Sequence, residues 1–245
     1  MNENEIRGYL DSDGRVTLMP PKRKKKLLVL AYLADRIPPD KVYTEREFNE
    51  LLNTLHTFGD AAILRRELFD YYLVNRSQDG KNYSLNRDRM SAEEIQYRIG
   101  LMQRFPKYEF DLDRLTCLPT HGDYFMSQLI CGEDHINAVI DWTTACVHPV
   151  IWEITRSFVY TAPSCAGGQL DLQEFSEYVA EYCRYAELNA YDREMLLPLF
   201  FYQIAVCDYY GQYFSSDADN RHIYLHQARF STKLLKWYEE NNCQK

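Results

Sequence analysis

Eighteen positions separate Asp123 from Asp141, and the residues between them set how closely the two carboxylates can meet. Leu129-Ile130 is apolar, Gly132-Glu133-Asp134 is a turn, and Ile136 to Ile140 is rich in β-branched residues. That pattern predicts a hairpin, which returns the chain and sets Asp141 near Asp123. Gly122, directly before Asp123, suits a loop whose backbone is tight or closely approached. Two carboxylates brought together in this way fit a hydroxyl-activating base and a magnesium ligand, the pair that phosphoryl transfer needs.

The series His121-Gly122-Asp123, four residues, Gln128, then Val139-Ile140-Asp141-Trp142 resembles the catalytic loop and metal-binding aspartate of the aminoglycoside phosphotransferase and choline kinase family. The resemblance implies a mostly helical, protein-kinase-like C-lobe that uses ATP and Mg2+ when nucleotide is bound. It makes Asp123 the catalytic base, His121 the residue that orients the loop, and Asp141 the magnesium ligand. Gln128 stands where the family places a second metal-binding Asn, with an amide one methylene longer. Trp142 follows on the substrate side. Pro149-Val-Ile-Trp152-Glu153-Ile154-x-Arg156-Ser157 matches the region of a helix packed under the site. The family often has an acidic residue near Glu153; helical spacing alone predicts an ion pair between Glu153 and Arg156 at i+3.

Members of that family carry, before this point, a β-sheet lobe with a phosphate-gripping loop and a lysine. No Gly-x-Gly-x-x-Gly and no Val-Ala-x-Lys occurs in the chain. The residues ahead of His121 read as a different module. Residues 1–90 carry 16 Lys/Arg against 14 Asp/Glu, whereas the remainder carries 12 against 22, so a mildly basic front joins an acidic back. The change marks a domain boundary near residue 88, with a first domain over 1–88 and a second over 89–245.

Pro20-Pro21 opens a helix over Lys22 to Arg36, with Leu27, Leu30, Ala31 and Ala34 at i, i+3, i+4 and i+7 as an amphipathic stripe. Val16-Thr-Leu18 before it is strand-like. Thr44-Glu-Arg-Glu47 is a capping box for a second helix, Gly59 breaks it, and Asp60 caps a third over Ala61 to Tyr71. Tyr72 to Arg76 and Asn82 to Leu85 flank the turn Gln78-Asp79-Gly80 as a β-hairpin. Three helices and a terminal hairpin outline a winged helix. The segment also resembles a small uncharacterised winged-helix-like domain of bacterial proteins, on Arg7-x-x-Leu10, Gly14-Arg15, Leu18-x-Pro20, Tyr43-Thr-Glu45, Asn49-x-x-Leu52 and Leu64-Arg-Arg-x-Leu68. In a winged helix, Arg65 and Arg66 on the third helix would meet DNA bases, and Arg76 and Lys81 on the wing would meet phosphates. A protein-docking role fits the outline equally.

Ser91-Ala-Glu-Glu94 is a further capping box, opening a helix that Pro106 closes. Helical stripes recur at Phe175 to Ala186, Leu197 to Ala205 and Phe230 to Trp237, with Pro198 early in the second. Tyr209, Tyr213 and Phe214 crowd around Asp208 and Asp217, a composition able to cage a small cationic ligand. Seven scattered cysteines without a Cys-x-x-Cys read as reduced thiols in a cytoplasm, most of them small core fillers. No apolar run approaches the ~20 residues of a membrane span. The expected fold class is mainly α with small β-hairpins. Two functions remain open: a regulatory module fused to an incomplete phosphotransferase-like domain that senses a small molecule, or an ATP- and Mg2+-dependent phosphotransferase acting on the hydroxyl of a small, cationic molecule.

Overall fold

A computed structural model describes residues 5–105, 109–216 and 220–242. The chain is mainly helical with small antiparallel sheets, as its patterning predicts. It divides into two compact units, residues 1–103 with 210–225, and residues 104–209 with 226–245. The change of charge near residue 88 therefore does not coincide with the break in packing.

The first unit opens with α1 (Arg23–Ala34), β1 (Val42–Thr44), α2 (Glu45–Leu55), α3 (Ala61–Asp70), β2 (Val74–Arg76), β3 (Asn82–Leu85) and α4 (Ala92–Arg104). The stripe expected on α1 is wrong in kind. Every residue from Leu28 to Ala34 is buried, so the helix is enclosed on all sides beyond its lysine-rich first turns. Thr44 and Glu47 form the expected capping box on α2, Asp60 accepts from the Ile63 N–H on α3, and Ser91 with Glu94 caps α4. The sheet runs β1-β3-β2, with Tyr83 opposite both Tyr43 and Arg76. Phe48 on α2 stacks on Tyr83 at 5.3 Å and so joins helix to sheet. Val16 forms only isolated bridges, to Leu10 and His56, in place of a strand.

The second unit places its strands before its helices. β4 (Cys117–Thr120), β5 (Leu129–Cys131), β6 (Ile136–Val139) and β7 (Cys146–Pro149) lead into α5 (Val150–Thr161), α6 (Leu172–Tyr182) and α7 (Ala190–Val206). Next in the chain, the short α8 (Tyr209–Ser215) falls almost wholly in the first unit, and the long α9 (Arg221–Asn242) belongs to the second from His226 onward. β4 pairs with β7, and β5 pairs with β6, both antiparallel. α5 packs on α7 through Trp152 and Phe200, and Phe201 stacks on Tyr238 of α9 at 4.1 Å. Asp192, fully buried in the first turn of α7, accepts from both the N–H and the hydroxyl of Thr116, tying α7 to the approach to β4.

Two expectations are corrected in this unit. Pro198 lies in the interior of α7, because an Asn189–Asp192 capping box starts that helix eight residues earlier. Cys117, Cys131 and Cys146 are exposed on the strands, and only Cys165 of the described cysteines is buried. Alternation along a half-exposed strand puts a small apolar residue outside as readily as inside. Pro106 and Asp217 fall outside the described residues. No helix among the described residues is long and apolar enough to cross a membrane.

Candidate functional site

β4 ends at Thr120 and delivers His121, Gly122 and Asp123 into a loop held on three sides. Gly122 sits at φ +81°, and a Cβ there would run into the Thr144 carbonyl, so both conformation and space require glycine. The carboxylate of Glu153, in the first turn of α5, accepts the backbone N–H of His121 at 3.2 Å and of Gly122 at 2.5 Å. From the other side the Thr144 hydroxyl donates to the His121 carbonyl at 3.0 Å. His121 is 3% exposed. Its Nδ1 faces the Asp123 N–H at 3.3 Å and its Nε2 faces the Ile140 carbonyl at 2.8 Å. Those two partners assign the proton to Nε2. His121 thereby clamps the Asp123 loop to the end of the hairpin that carries Asp141.

Both oxygens of Asp123 have partners. Oδ1 is ion-paired with the Arg156 guanidinium, and Oδ2 accepts from the Gln128 amide at 3.2 Å. The Arg156 guanidinium stands 5.2 and 5.0 Å from the ring centroids of Phe125 and Tyr160, which pack beside each other, an arrangement that suits a guanidinium removed from water. Its Nη1 is buried without a hydrogen-bond partner among the described residues. Behind it Tyr160 and Tyr209 share a hydroxyl–hydroxyl bond, and burial pushes both phenols above their ordinary range. The expected Glu153–Arg156 pair does not form. The two residues are one turn apart, but Glu153 turns to two backbone N–H groups and Arg156 turns to Asp123. Two unsatisfied amides in a partly buried loop need an acceptor more than an exposed helix pair needs forming.

The β5–β6 hairpin returns the chain as its spacing predicts, with the Ile140 N–H donating to the Gln128 carbonyl at 2.9 Å. Asp141 adopts the left-handed conformation, φ 59° and ψ 59°. Its Oδ1 accepts from the Thr143 hydroxyl at 2.6 Å, and its other oxygen has no hydrogen-bond donor among the described residues. Trp142 lies 4.7 Å from the His121 ring and is 57% exposed. Among the described residues no group of three His, Cys, Asp or Glu side chains converges on a metal position. Magnesium needs fewer, since it keeps waters and substrate phosphates around one or two carboxylates. Asp141 fits that requirement with its outward oxygen, whereas the Gln128 amide nitrogen is directed at Asp123.

Asp208 is exposed and Tyr209 is engaged with Tyr160. Tyr213 is 1% exposed in the core of the first unit, edge-on to Tyr72 and Phe214. In the same unit, Arg65 is paired with Glu45 at 2.8 Å and donates to the Asn49 side-chain Oδ1 at 2.5 Å. Arg66 and Lys81 are exposed, and Arg76 lies along the turn, donating to the Gly80 carbonyl at 3.3 Å.

Residues 15–85 match the family described as an uncharacterized protein conserved in bacteria (DUF2087). The matched stretch takes in α1, α2, α3 and the whole three-stranded sheet. No curated protein and no solved structure matches the chain.

Spacing arguments did not find Arg156 as the partner of Asp123, nor Phe125 and Tyr160 as the rings that hold it. One signal was available. Arg156 follows Glu153 on a helix expected to pack under the site, so both side chains rise on the face toward Asp123.

Proposed function

We propose that this chain is a regulatory protein in which a winged-helix-like module is joined to an incomplete phosphotransferase-like domain that binds a small molecule with weak or no catalysis. The observation that carries this reading is the condition of Asp123. A general base must accept a proton from the substrate hydroxyl within hydrogen-bond reach. Arg156 and Gln128 each engage one carboxylate oxygen, so a substrate hydroxyl would compete with a bound guanidinium for the same charge. Phosphoryl transfer depends on positioning and charge around the phosphates, and the sequence has no phosphate-gripping loop or lysine to supply them. The order helix, strand, helix, helix and hairpin over residues 23–85 supports the winged-helix-like reading of the first module. With Arg65 committed to Glu45, contact with DNA would fall to Arg66, Arg76 and Lys81.

The second reading, an active ATP-dependent phosphotransferase, is favoured by one observation: Asp141 keeps an outward carboxylate oxygen beside the His121–Asp123 loop. Magnesium held there would neutralise charge on bound phosphates. Asp141 would hold the ion, and Gln128 would keep Asp123 in place.

A thermal-shift titration with ATP and Mg2+ on the parent and on Asp141→Asn separates the two. The regulatory reading expects dissociation constants of ~1 mM or weaker and a shift of a few degrees at most. A large shift that disappears in Asp141→Asn, with ATP turnover lost in Asp123→Asn, would establish the enzyme. For the first module, salt-sensitive duplex binding that weakens in Arg66→Ala with Arg76→Ala supports DNA contact. No binding at low salt supports protein docking.

A further inference from the structure

The first unit carries a concave site whose Arg66 and Arg76 are the residues a DNA contact would also use. A cavity of about 310 Å3 opens between α3 and the β2–β3 hairpin, lined chiefly by Arg65, Arg66, Phe69, Asp70, Arg76 and Tyr83. The four α3 residues fall on one face of the helix because they are spaced i, i+1, i+4 and i+5. The hairpin supplies the opposite wall. Tyr83 is buried beneath, stacked on Phe48, and the guanidinium carbons of Arg65 and Arg76 stand 5.4 and 5.8 Å from the centre of its ring.

Charge decides what such a cavity can hold. Three guanidinium groups converge on it. Glu45 offsets Arg65, Asp79 lies near Arg76, which also donates to the Gly80 carbonyl, Arg66 makes no ion pair among the described residues, and Asp70 is the single carboxylate in the wall. Three guanidinium groups against the one carboxylate of the lining leave the cavity net positive, and an anion is the charge that suits it. The planar fork of arginine matches the oxygens of phosphate in geometry as well as sign. The volume stands at the lower end of the range for small-molecule sites. A DNA duplex is a poorer occupant. It is a wide convex rod whose line of phosphates would meet Asp70, whereas a small ligand can turn a hydroxyl toward that carboxylate. Phe69, 39% exposed, offers an apolar surface for the body of the ligand.

We propose that this cavity binds a small phosphomonoester, with Arg66 and Arg76 holding the phosphate and Asp70 accepting from a hydroxyl of the same molecule. The site lies wholly within the first unit and is independent of the roles given to Asp123 and Asp141.

Calorimetric titration of the full chain with inorganic phosphate, ribose 5-phosphate and ribose tests the proposal. Inorganic phosphate binds weakly, ribose 5-phosphate binds more tightly, and ribose does not bind. Arg66→Gln and Arg76→Gln each weaken both phosphate probes about tenfold, the size expected for one charge-assisted hydrogen bond. Asp70→Asn weakens ribose 5-phosphate and spares inorganic phosphate. An unchanged melting temperature in each variant shows that the fold is kept; Arg65 is left in place because it is bonded within the fold. The proposal is overturned if neither phosphate probe binds at millimolar concentration, or if both arginine variants bind like the parent. It is also overturned if duplex DNA competes with the probes and does so more strongly as the duplex lengthens.

Discussion

The guanidinium of Arg156, one helix away from the loop it serves, holds the carboxylate of Asp123. The pair is only partly shielded, with the Arg156 side chain 19% and the Asp123 side chain 30% exposed. Arg156 is also fixed by the rings of Phe125 and Tyr160, so releasing Asp123 requires moving a packed side chain. A substrate hydroxyl that approached Asp123 would reach only the lone pairs that this guanidinium and the Gln128 amide leave open. The same α5 helix sends Glu153 to the backbone of His121 and Gly122. One helical turn thus fixes both the shape of the loop and the state of its carboxylate.

Arg156→Met should cost about 1–3 kcal/mol in urea unfolding, the range for stranding one partner of a partly buried charged hydrogen bond. The larger cost of a fully buried pair does not apply at this exposure. In the Asp123→Asn background the same substitution should cost less, with a coupling of at least ~0.5 kcal/mol. Strict additivity would mean that the pair contributes nothing.

Glu153→Gln leaves one acceptor oxygen for two N–H groups and sets a donor where the other oxygen was. Amide exchange at His121 and Gly122 should quicken, while amides in α7 stay protected. Unfolding free energy should drop by about 1–2 kcal/mol. If the two loop amides exchange as slowly as before, Glu153 is not what holds them.

Two glycines with similar backbones separate strain from collision. Gly59 and Gly122 have φ of +73° and +81°, but a Cβ at Gly59 meets nothing within 4 Å. Gly59→Ala should therefore show only the left-handed penalty, about 1–2 kcal/mol. Gly122→Ala should lose at least ~1 kcal/mol more, because the Thr144 carbonyl stands in the way. Equal losses would show that the loop moves aside freely.

Local signals carried most of the fold. Capping residues at Thr44, Asp60 and Ser91 and the turn at Gly132 to Asp134 act within a few residues of themselves, so they could be read directly. The meeting of Asp123 and Asp141 loops was legible for the same reason, since a short hairpin joins them. What could not be read were choices made between distant segments. Arg156 had two possible acids, Glu153 on its own helix and Asp123 more than thirty residues away, and only the packed loop decides between them. Enclosure of α1 on all sides was hidden likewise, because its stripe says which face is apolar and not how many neighbours will cover the others. Tyr213 was grouped with Tyr209 by nearness in sequence, yet its ring is used in the core around Tyr72.

Acid should weaken the first unit partly through Glu47. Its carboxylate accepts the Thr44 N–H and hydroxyl, and the backbone bond first of all holds it below the ordinary carboxylate range. A carboxyl depressed in the folded state contributes stability above its unfolded value near ~4.3, and that contribution is lost as pH falls through the folded value. Glu47→Gln should therefore flatten the acid limb of the stability profile by lowering stability at neutral pH while changing it little in acid. An acid limb of unchanged slope would assign the effect to other carboxylates.

Asp141 offers the cleanest substitution in the candidate site, because its backbone and its charge can be tested separately. A left-handed conformation is uncommon outside glycine, and aspartate and asparagine are the residues that tolerate it best. Asparagine also keeps an oxygen for the Thr143 hydroxyl, which now donates to Asp141 at 2.6 Å. Without metal, Asp141→Asn should therefore unfold within about 0.5 kcal/mol of the parent. Asp141→Val, branched at Cβ and without an acceptor, should lose about 1–3 kcal/mol from strain and from the stranded hydroxyl. With Mg2+ and nucleotide present, a stabilisation seen in the parent and missing from Asp141→Asn would belong to the carboxylate charge alone. If Asp141→Asn were as damaging as Asp141→Val without metal, the ionised carboxylate would be part of the fold itself, and the metal role would lose its support.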